Sequence, residues 1–200
     1  MREMVKMVVV LTLLCSVSGG LLAALRDGTK DRIENQQLEF VKGPAIRKIL
    51  VEGAGATNDP IKDRFKLKVD GREESFFVGI VNGKPNLVTF ETSGKGFGGT
   101  LGMVVGVDVT TDKIIGVAVT THSETPGIGA RAQTDPRFAK QFAGMPLAGE
   151  FKVKSDGGKV DALSGATVTS RGVSGALTGA AKLYQDAKPA LIEKLNTLKK

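Results

Sequence analysis

Tryptophan is absent from this 200-residue chain, and tyrosine, cysteine and histidine occur once each. Each scarcity closes off a class of chemistry. A lone cysteine can form no internal disulfide, and no cysteine cluster exists to hold zinc or an iron–sulfur centre. Cys15 sits in an apolar run and reads as a small hydrophobe. The Thr12-Leu13-Leu14 before it lacks the small residues that a lipid-modified cysteine needs. His122 cannot build a metal site by itself. A core without tryptophan must rely on Val, Ile, Leu and Ala. The net charge of +7 raises nucleic-acid binding, but the basic residues are scattered and stacking rings are few, so no nucleic-acid partner is expected. A solvated basic surface, compatible with anionic lipid heads nearby, accounts for the charge. No His-Glu-x-x-His helix, Ser-His-Asp order or pair of carboxylates supports hydrolysis. The apolar share of 41% is that of a globular chain, so disorder is excluded.

Charge is also missing from Met7 to Leu25, which is dominated by Val, Leu and Ala. At about 1.5 Å per residue, a helix over this run approaches the roughly 30 Å of a bilayer's hydrocarbon core. Arg2 and Lys6 precede it; Arg26, Asp27, Lys30, Asp31 and Arg32 follow. A short tail with no later span suits an N-in, single-pass anchor in the inner (cytoplasmic) membrane, with the rest of the chain on the periplasmic or outer side. The rival is a cleaved signal peptide, for which Leu22-Ala23-Ala24 is only a loose cleavage match.

The remainder reads as α+β, an antiparallel sheet flanked by helices. Lys30 to Leu50 is helical, with Gly43-Pro44 breaking or bending it. After the loop Gly53 to Pro60 the period turns to two. Phe65–Val69, Glu74–Val81, Leu87–Thr92, Met103–Val109 and Lys113–Thr121 read as strands. Asn82-Gly83 marks one turn and Thr111-Asp112 another. Asp135-Pro136 opens a short helix, Phe151–Val153 is a short strand, Asp156-Gly157-Gly158 turns the chain, and Thr169 to Lys194 is mostly helix. The expected organisation is a short cytoplasmic tail (1–6), a membrane anchor (7–25), a helical connector (26–60) and a sheet-bearing domain (61–200).

Against this background Asp161-Ala162-Leu163-Ser164-Gly165-Ala166-Thr167 stands out. Gly165 and Ala166 offer little bulk, so a nucleotide can approach the backbone closely. Thr167 supplies an esterifiable oxygen just before a helix, where a phosphate's charge is favoured. A plain reading is a Ser/Thr loop capping that helix. The stretch fits Asp-x-x-(Ser/Thr)-Gly-Ala-Thr and resembles the flavin attachment site of the FMN-carrying subunits of the Rnf and Na+-translocating NADH:quinone oxidoreductase complexes. Thr121-His122-Ser123-Glu124-Thr125-Pro126-Gly127-Ile128-Gly129 is similar to the same family's His-x-Glu-Thr-Pro-Gly-(Leu/Ile)-Gly segment. The N-terminal anchor and a glycine-rich turn, Gly94 to Thr100, also correspond. That turn lacks the order of a phosphate-binding P-loop, so structural use of backbone freedom explains it, with Phe97 available as a pocket wall.

The resemblance implies an FMN-binding domain with FMN linked covalently, as a phosphoester, to Thr167. Ser164, Gly165 and Ala166 surround the link, and His122, Glu124 and Thr125 lie beside the flavin. It implies attachment by a separate flavin transferase that uses FAD. The partners would be other membrane and redox subunits of an ion-translocating complex, with electrons relayed between ferredoxin and NAD centres and no independent catalysis by this chain. The chain's compact length is nearer the G subunit of the Rnf complex than the longer C subunit of the quinone reductase. The competing reading is a membrane-anchored assembly module without a redox group, in which Ser164 to Ser170 only caps a helix and Glu124 only caps an amide.

Overall fold

Five strands pair in chain order as an antiparallel meander: β1 (Arg64–Val69), β2 (Arg72–Val81), β3 (Lys84–Lys95), β4 (Thr100–Asp108) and β5 (Lys113–Thr121). The computed structural model describes residues 1–198. The turns at Asp70-Gly71 and Asn82-Gly83 place both central residues at positive φ, +51° and +78° in the first, +51° and +72° in the second. That is the geometry of two-residue hairpins. Such tight turns let pairing begin at once, at Val69 with Arg72 and at Val81 with Lys84. Strands β2 and β3 are therefore longer than the runs Glu74–Val81 and Leu87–Thr92 read from the sequence. The expected strand at Phe151–Val153 is reduced to a single bridge between Val153 and Val160. The turn after it is present, with Gly157 at φ +81°.

Both faces of the sheet are covered. On one lies α5 (Thr167–Leu198), whose Val173, Leu177, Ala180, Tyr184, Ala187 and Leu191 form a buried stripe at alternating spacings of four and three. Tyr184 stacks on Phe90 with ring centroids 6.3 Å apart, and Phe90 meets Phe76 at 5.4 Å. The helix continues through Pro189. The Tyr184 hydroxyl donates to Asp112 in the β4–β5 turn (2.7 Å), and Lys188 donates to the same carboxylate (2.6 Å). On the other face Ile46, Ile49 and Leu50 are buried. They belong to α2 (Gly43–Arg47) and a following π-helical turn, Lys48–Gly53. Gly43-Pro44 does not end the helical path there. Pro44 sits in the first turn of α2, where its missing N–H is harmless, and π-helical turns flank that helix on both sides.

Between β5 and α5 come two short helices, α3 (Arg131–Thr134) and α4 (Pro136–Lys140). Asp135 caps α4 by accepting from the Arg137 amide at 3.0 Å. Bonded also to the Arg137 guanidinium, its carboxyl is held down to about 2. Residues before Val41 form a separate compact unit. Its helix α1 (Arg2–Gln37) contains the apolar run, with a mean hydropathy of 2.4 and no residue of that window buried. It is long and apolar enough to cross a membrane.

Candidate functional site

The Ser164-Gly165 pair forms the corner of a β-turn closed by Ala166 N–H donating to the Leu163 carbonyl (2.9 Å). Gly165 has φ +78°, a left-handed conformation that a residue with a Cβ adopts only under strain. Two side chains anchor this turn. Gln141 accepts from the Asp161 amide (2.7 Å) and donates to the Asp161 carbonyl (3.2 Å). Ser170, fully buried, accepts from the Leu163 amide (2.9 Å) and donates to the Ala166 carbonyl (3.0 Å). Helix α5 starts at Thr167, immediately after.

Two further segments close on that first helical turn. One is the tip of the β3–β4 hairpin, Gly96 to Gly99, closed by Gly96 N–H donating to Gly99 O (2.8 Å). The other is the loop after β5. Glu124 in that loop is buried and joins all three: one carboxylate oxygen accepts from Gly98 N–H (2.8 Å), and the other accepts from the Thr169 hydroxyl. The glycine turn thus serves backbone approach, since a Cβ at Gly98 would overlap the Ser123 carbonyl. His122 accepts from the Glu124 amide through Nδ1 (3.2 Å), which makes Nε2 the donor toward Gln133 (3.2 Å). Gln133 in turn donates to the Val119 carbonyl (3.1 Å).

The three segments enclose a cleft of about 430 Å³, within the range of roughly 300–1,000 Å³ typical of small-ligand sites. Phe97, Thr125, Ile128, Gly165, Thr167 and Val168 line it, with Glu124, Gly129, Ala166 and Thr169. Its rim is apolar: Phe97 is 76% exposed, Ile128 47% and Val168 44%. Among the hydroxyls of the first helical turn, Thr169 is committed to Glu124 and Ser170 to the β-turn. Thr167 lines the cleft half-buried, and its hydroxyl takes part in none of those bonds.

Of the residues named from the sequence, Gly165, Ala166, Thr167, Glu124 and Thr125 share this cleft. His122 stands behind the loop rather than in the lining. Ser164 faces a second cleft of about 340 Å³, with Arg131, Arg137, Gln141 and Asp161. The lining also includes Ile128, Gly129, Val168 and Thr169, which sequence reasoning does not single out as site residues. Ile128 and Gly129 lie inside the quoted loop, so that signal is available. Thr169 pairs with a residue 45 positions away, and nothing local marks such a partner. Among the described residues no cluster of His, Cys, Asp or Glu is grouped for metal ligation.

The donor set and shape fit a flavin mononucleotide: small residues and a helix start at one end, an apolar rim for a ring at the other. The FMN-binding domain family matches residues 96–182, which contain all three segments that enclose the cleft. Over its length the chain is 32% identical to the G subunit of the ion-translocating oxidoreductase complex of Methanosarcina acetivorans, covering 90% of this chain and 93% of that one. It is 30% identical to the corresponding G subunit of Pseudomonas aeruginosa, with 96% and 93% covered. Among solved structures, the C subunit of the Na+-translocating NADH-quinone reductase of Parabacteroides distasonis shares the fold. It has a TM-score of 0.59 at 23% identity, over 78% of this chain and 96% of that one. NqrC of Shewanella oneidensis superposes with a TM-score of 0.53 at 28% identity, over 69% of this chain and 72% of that one. A shared domain and near full-length similarity, together with a cleft that fits the domain's ligand, show that this chain belongs to the family of G subunits of ion-translocating oxidoreductase complexes.

Proposed function

We propose that this protein is the complex's fixed flavin carrier, holding FMN as a phosphoester on Thr167 and relaying electrons between ferredoxin and NAD redox centres. The observation that carries the reading is the position of Thr167. Its hydroxyl lies at the first residue of α5, on the wall of the cleft, uncommitted to the bonds that fix its neighbours. Gly165 and Ala166 leave room for a phosphate against the backbone, and the start of a 32-residue helix favours the charge that a phosphodiester retains. Phe97, Ile128 and Val168 supply apolar surface for the ring, while Thr125 offers a hydroxyl and a backbone at its edge. Bound there, FMN supplies the group that accepts and passes on electrons; the protein fixes where it sits and what surrounds it.

On this reading α1 is retained as a single-pass, N-in anchor in the cytoplasmic membrane. The flavin domain then faces the periplasm or outer side, among the complex's membrane and redox subunits. A covalent link keeps the cofactor from being lost to a compartment poor in free FMN. A flavin transferase drawing on FAD makes the link.

The test is flavin fluorescence of the denatured protein band after expression with a flavin transferase. The parent chain should fluoresce in the denaturing gel and Thr167→Val should not, while remaining folded. A parent band without fluorescence would return Ser164 to Ser170 to a helix cap and the chain to an assembly module. Peptide mapping that places the flavin elsewhere than Thr167 would refute the assignment.

A further inference from the structure

Two threonines of the first helical turn line the cleft, Thr167 and Thr169, and the fold treats them differently. Thr169 is 1% exposed and its hydroxyl is donated to Glu124. The space around that carboxylate has been cleared by glycines. A Cβ at Gly129 would stand 2.5 Å from one Glu124 oxygen and 2.8 Å from the Thr169 hydroxyl, and a Cβ at Gly96 would overlap the other oxygen. Glu124 is therefore seated by three segments at once: the hairpin tip through Gly98, its own loop, and α5 through Thr169. Each oxygen already accepts one bond and the residue is buried, so little of this carboxylate is open to a ligand. Its position suits a different task.

We propose that the Glu124–Thr169 pair is a positioning latch for the modification of Thr167, and that it decides which of the two threonines is modified; the inference rests on the phosphoester reading above. The first turn of a helix is where backbone hydrogen bonding is incomplete and fraying begins. Tying Thr169 to the hairpin tip holds that turn still against the rest of the domain. It also turns the Thr169 hydroxyl inward, away from an incoming phosphate, and leaves Thr167 facing the cleft. In the attachment step the Thr167 oxygen bonds to the flavin-side phosphorus of FAD. The phosphorus–oxygen bond to the AMP half breaks, AMP leaves, and the hydroxyl proton passes to a base of the transferase. A reaction of this kind depends on placing one oxygen in line with one bond, and misplacement by an ångström can cost about a hundredfold.

The full-length chain in detergent, purified without flavin, is mixed with the transferase and FAD, and the initial rate of labelling is read by in-gel fluorescence. Labelled residues are mapped by mass spectrometry, and folding of each variant is checked by thermal unfolding. Thr169→Val keeps the side-chain shape but removes the donor; Glu124→Ala removes the acceptor. Each should slow labelling by about tenfold or more, and the double variant should be no slower than the worse single one, since both break one interaction. Glu124→Gln can still accept from Gly98 and can bond Thr169 through its amide, so it should recover most of the rate lost in Glu124→Ala. If Glu124→Ala unfolds the chain, the Thr169→Val rate and the Glu124→Gln comparison with the parent decide. Folded Thr169→Val labelled as fast as the parent, or losses that multiply in the double variant, would overturn the latch while leaving Thr167 as the attachment residue. A parent chain that takes no label, or takes it on Thr169, would remove both readings.

Discussion

Ser170 holds the Ser164-Gly165 turn to its helix, and replacing it by alanine isolates that contribution. The hydroxyl accepts from the Leu163 amide at 2.9 Å in a buried setting and donates to the Ala166 carbonyl at 3.0 Å. The carbonyl does not depend on the hydroxyl, because the Ser170 amide also donates to it at 3.0 Å. The Leu163 amide has no such reserve. Ser170→Ala leaves it buried without its acceptor, a loss of about 1–3 kcal/mol. Alanine's better helix propensity returns a few tenths, roughly 0.5 kcal/mol. The net expectation is a destabilisation of about 0.5–2.5 kcal/mol. For chains of this size each kcal/mol moves the midpoint by about 2–4 °C, so Tm should fall by about 1–10 °C. Thermal unfolding of the full-length chain in detergent measures this, and amide exchange at Leu163 should accelerate alongside. A variant within about 0.5 kcal/mol of the parent, with unchanged exchange at Leu163, would show that Ser170 does not anchor the turn.

The Asp112 carboxyl is held below its ordinary value by the hydrogen bonds from Lys188 and then Tyr184. Its contribution is thus complete above the ordinary carboxylate pKa and fades as the pH falls through the depressed one. Asp112→Asn, which tolerates the φ of +56° there, should flatten the acid limb of the stability curve below about pH 4 and leave its upper part parallel to the parent's; an unchanged acid limb would count against the pair. Phe97→Ala should leave unfolding within about 0.5 kcal/mol of the parent, as its ring is 76% exposed, yet make an attached flavin more accessible to iodide quenching; equal quenching would remove Phe97 from the ring's surroundings. Protease added to intact spheroplasts should digest the chain beyond Arg26, and digestion only after lysis would reverse the proposed orientation.

Much of the sheet is legible in the sequence because its signals are local. Alternation marks β1, short apolar runs mark the other four strands, and Asn-Gly marks a hairpin turn. The matching Asp70-Gly71 turn carries the same kind of signal and explains why β2 starts earlier than its apolar run. Helix α5 is legible from the spacing of Val173, Leu177, Tyr184 and Leu191. The Phe151–Val153 segment departs from expectation because three residues of suitable type do not make a strand without a neighbour to pair with, and only Val160 is offered. The cleft is legible where a motif spells it and opaque where contact makes it. Glu124 and Thr125 can be named beside Thr167, but the bonds that bring them together join residues 26 and 45 positions apart. Ser164 and Gly165 are adjacent in the motif and face different clefts, since a β-turn sends successive residues opposite ways.

The distribution of polar groups bears on why a flavin carrier of this design would need a covalent link. Around the cleft the strong hydrogen-bonding side chains are already spent on holding the segments together. Glu124 serves Gly98 and Thr169, Ser170 serves the β-turn, Gln141 serves Asp161, and His122 serves the Glu124 amide. What faces the ligand is an apolar rim, the Thr125 and Thr167 hydroxyls and main chain. A site of this kind fixes orientation through shape and supplies few charged contacts to a phosphate, while its shallow, exposed rim leaves part of a ring in solvent. Noncovalent binding would be weak and exchange fast. The proposed ester bond at the helix start would turn occupancy from a matter of affinity into one of synthesis. It would free the rim to stay open toward a redox partner, which an enclosing high-affinity pocket would not allow.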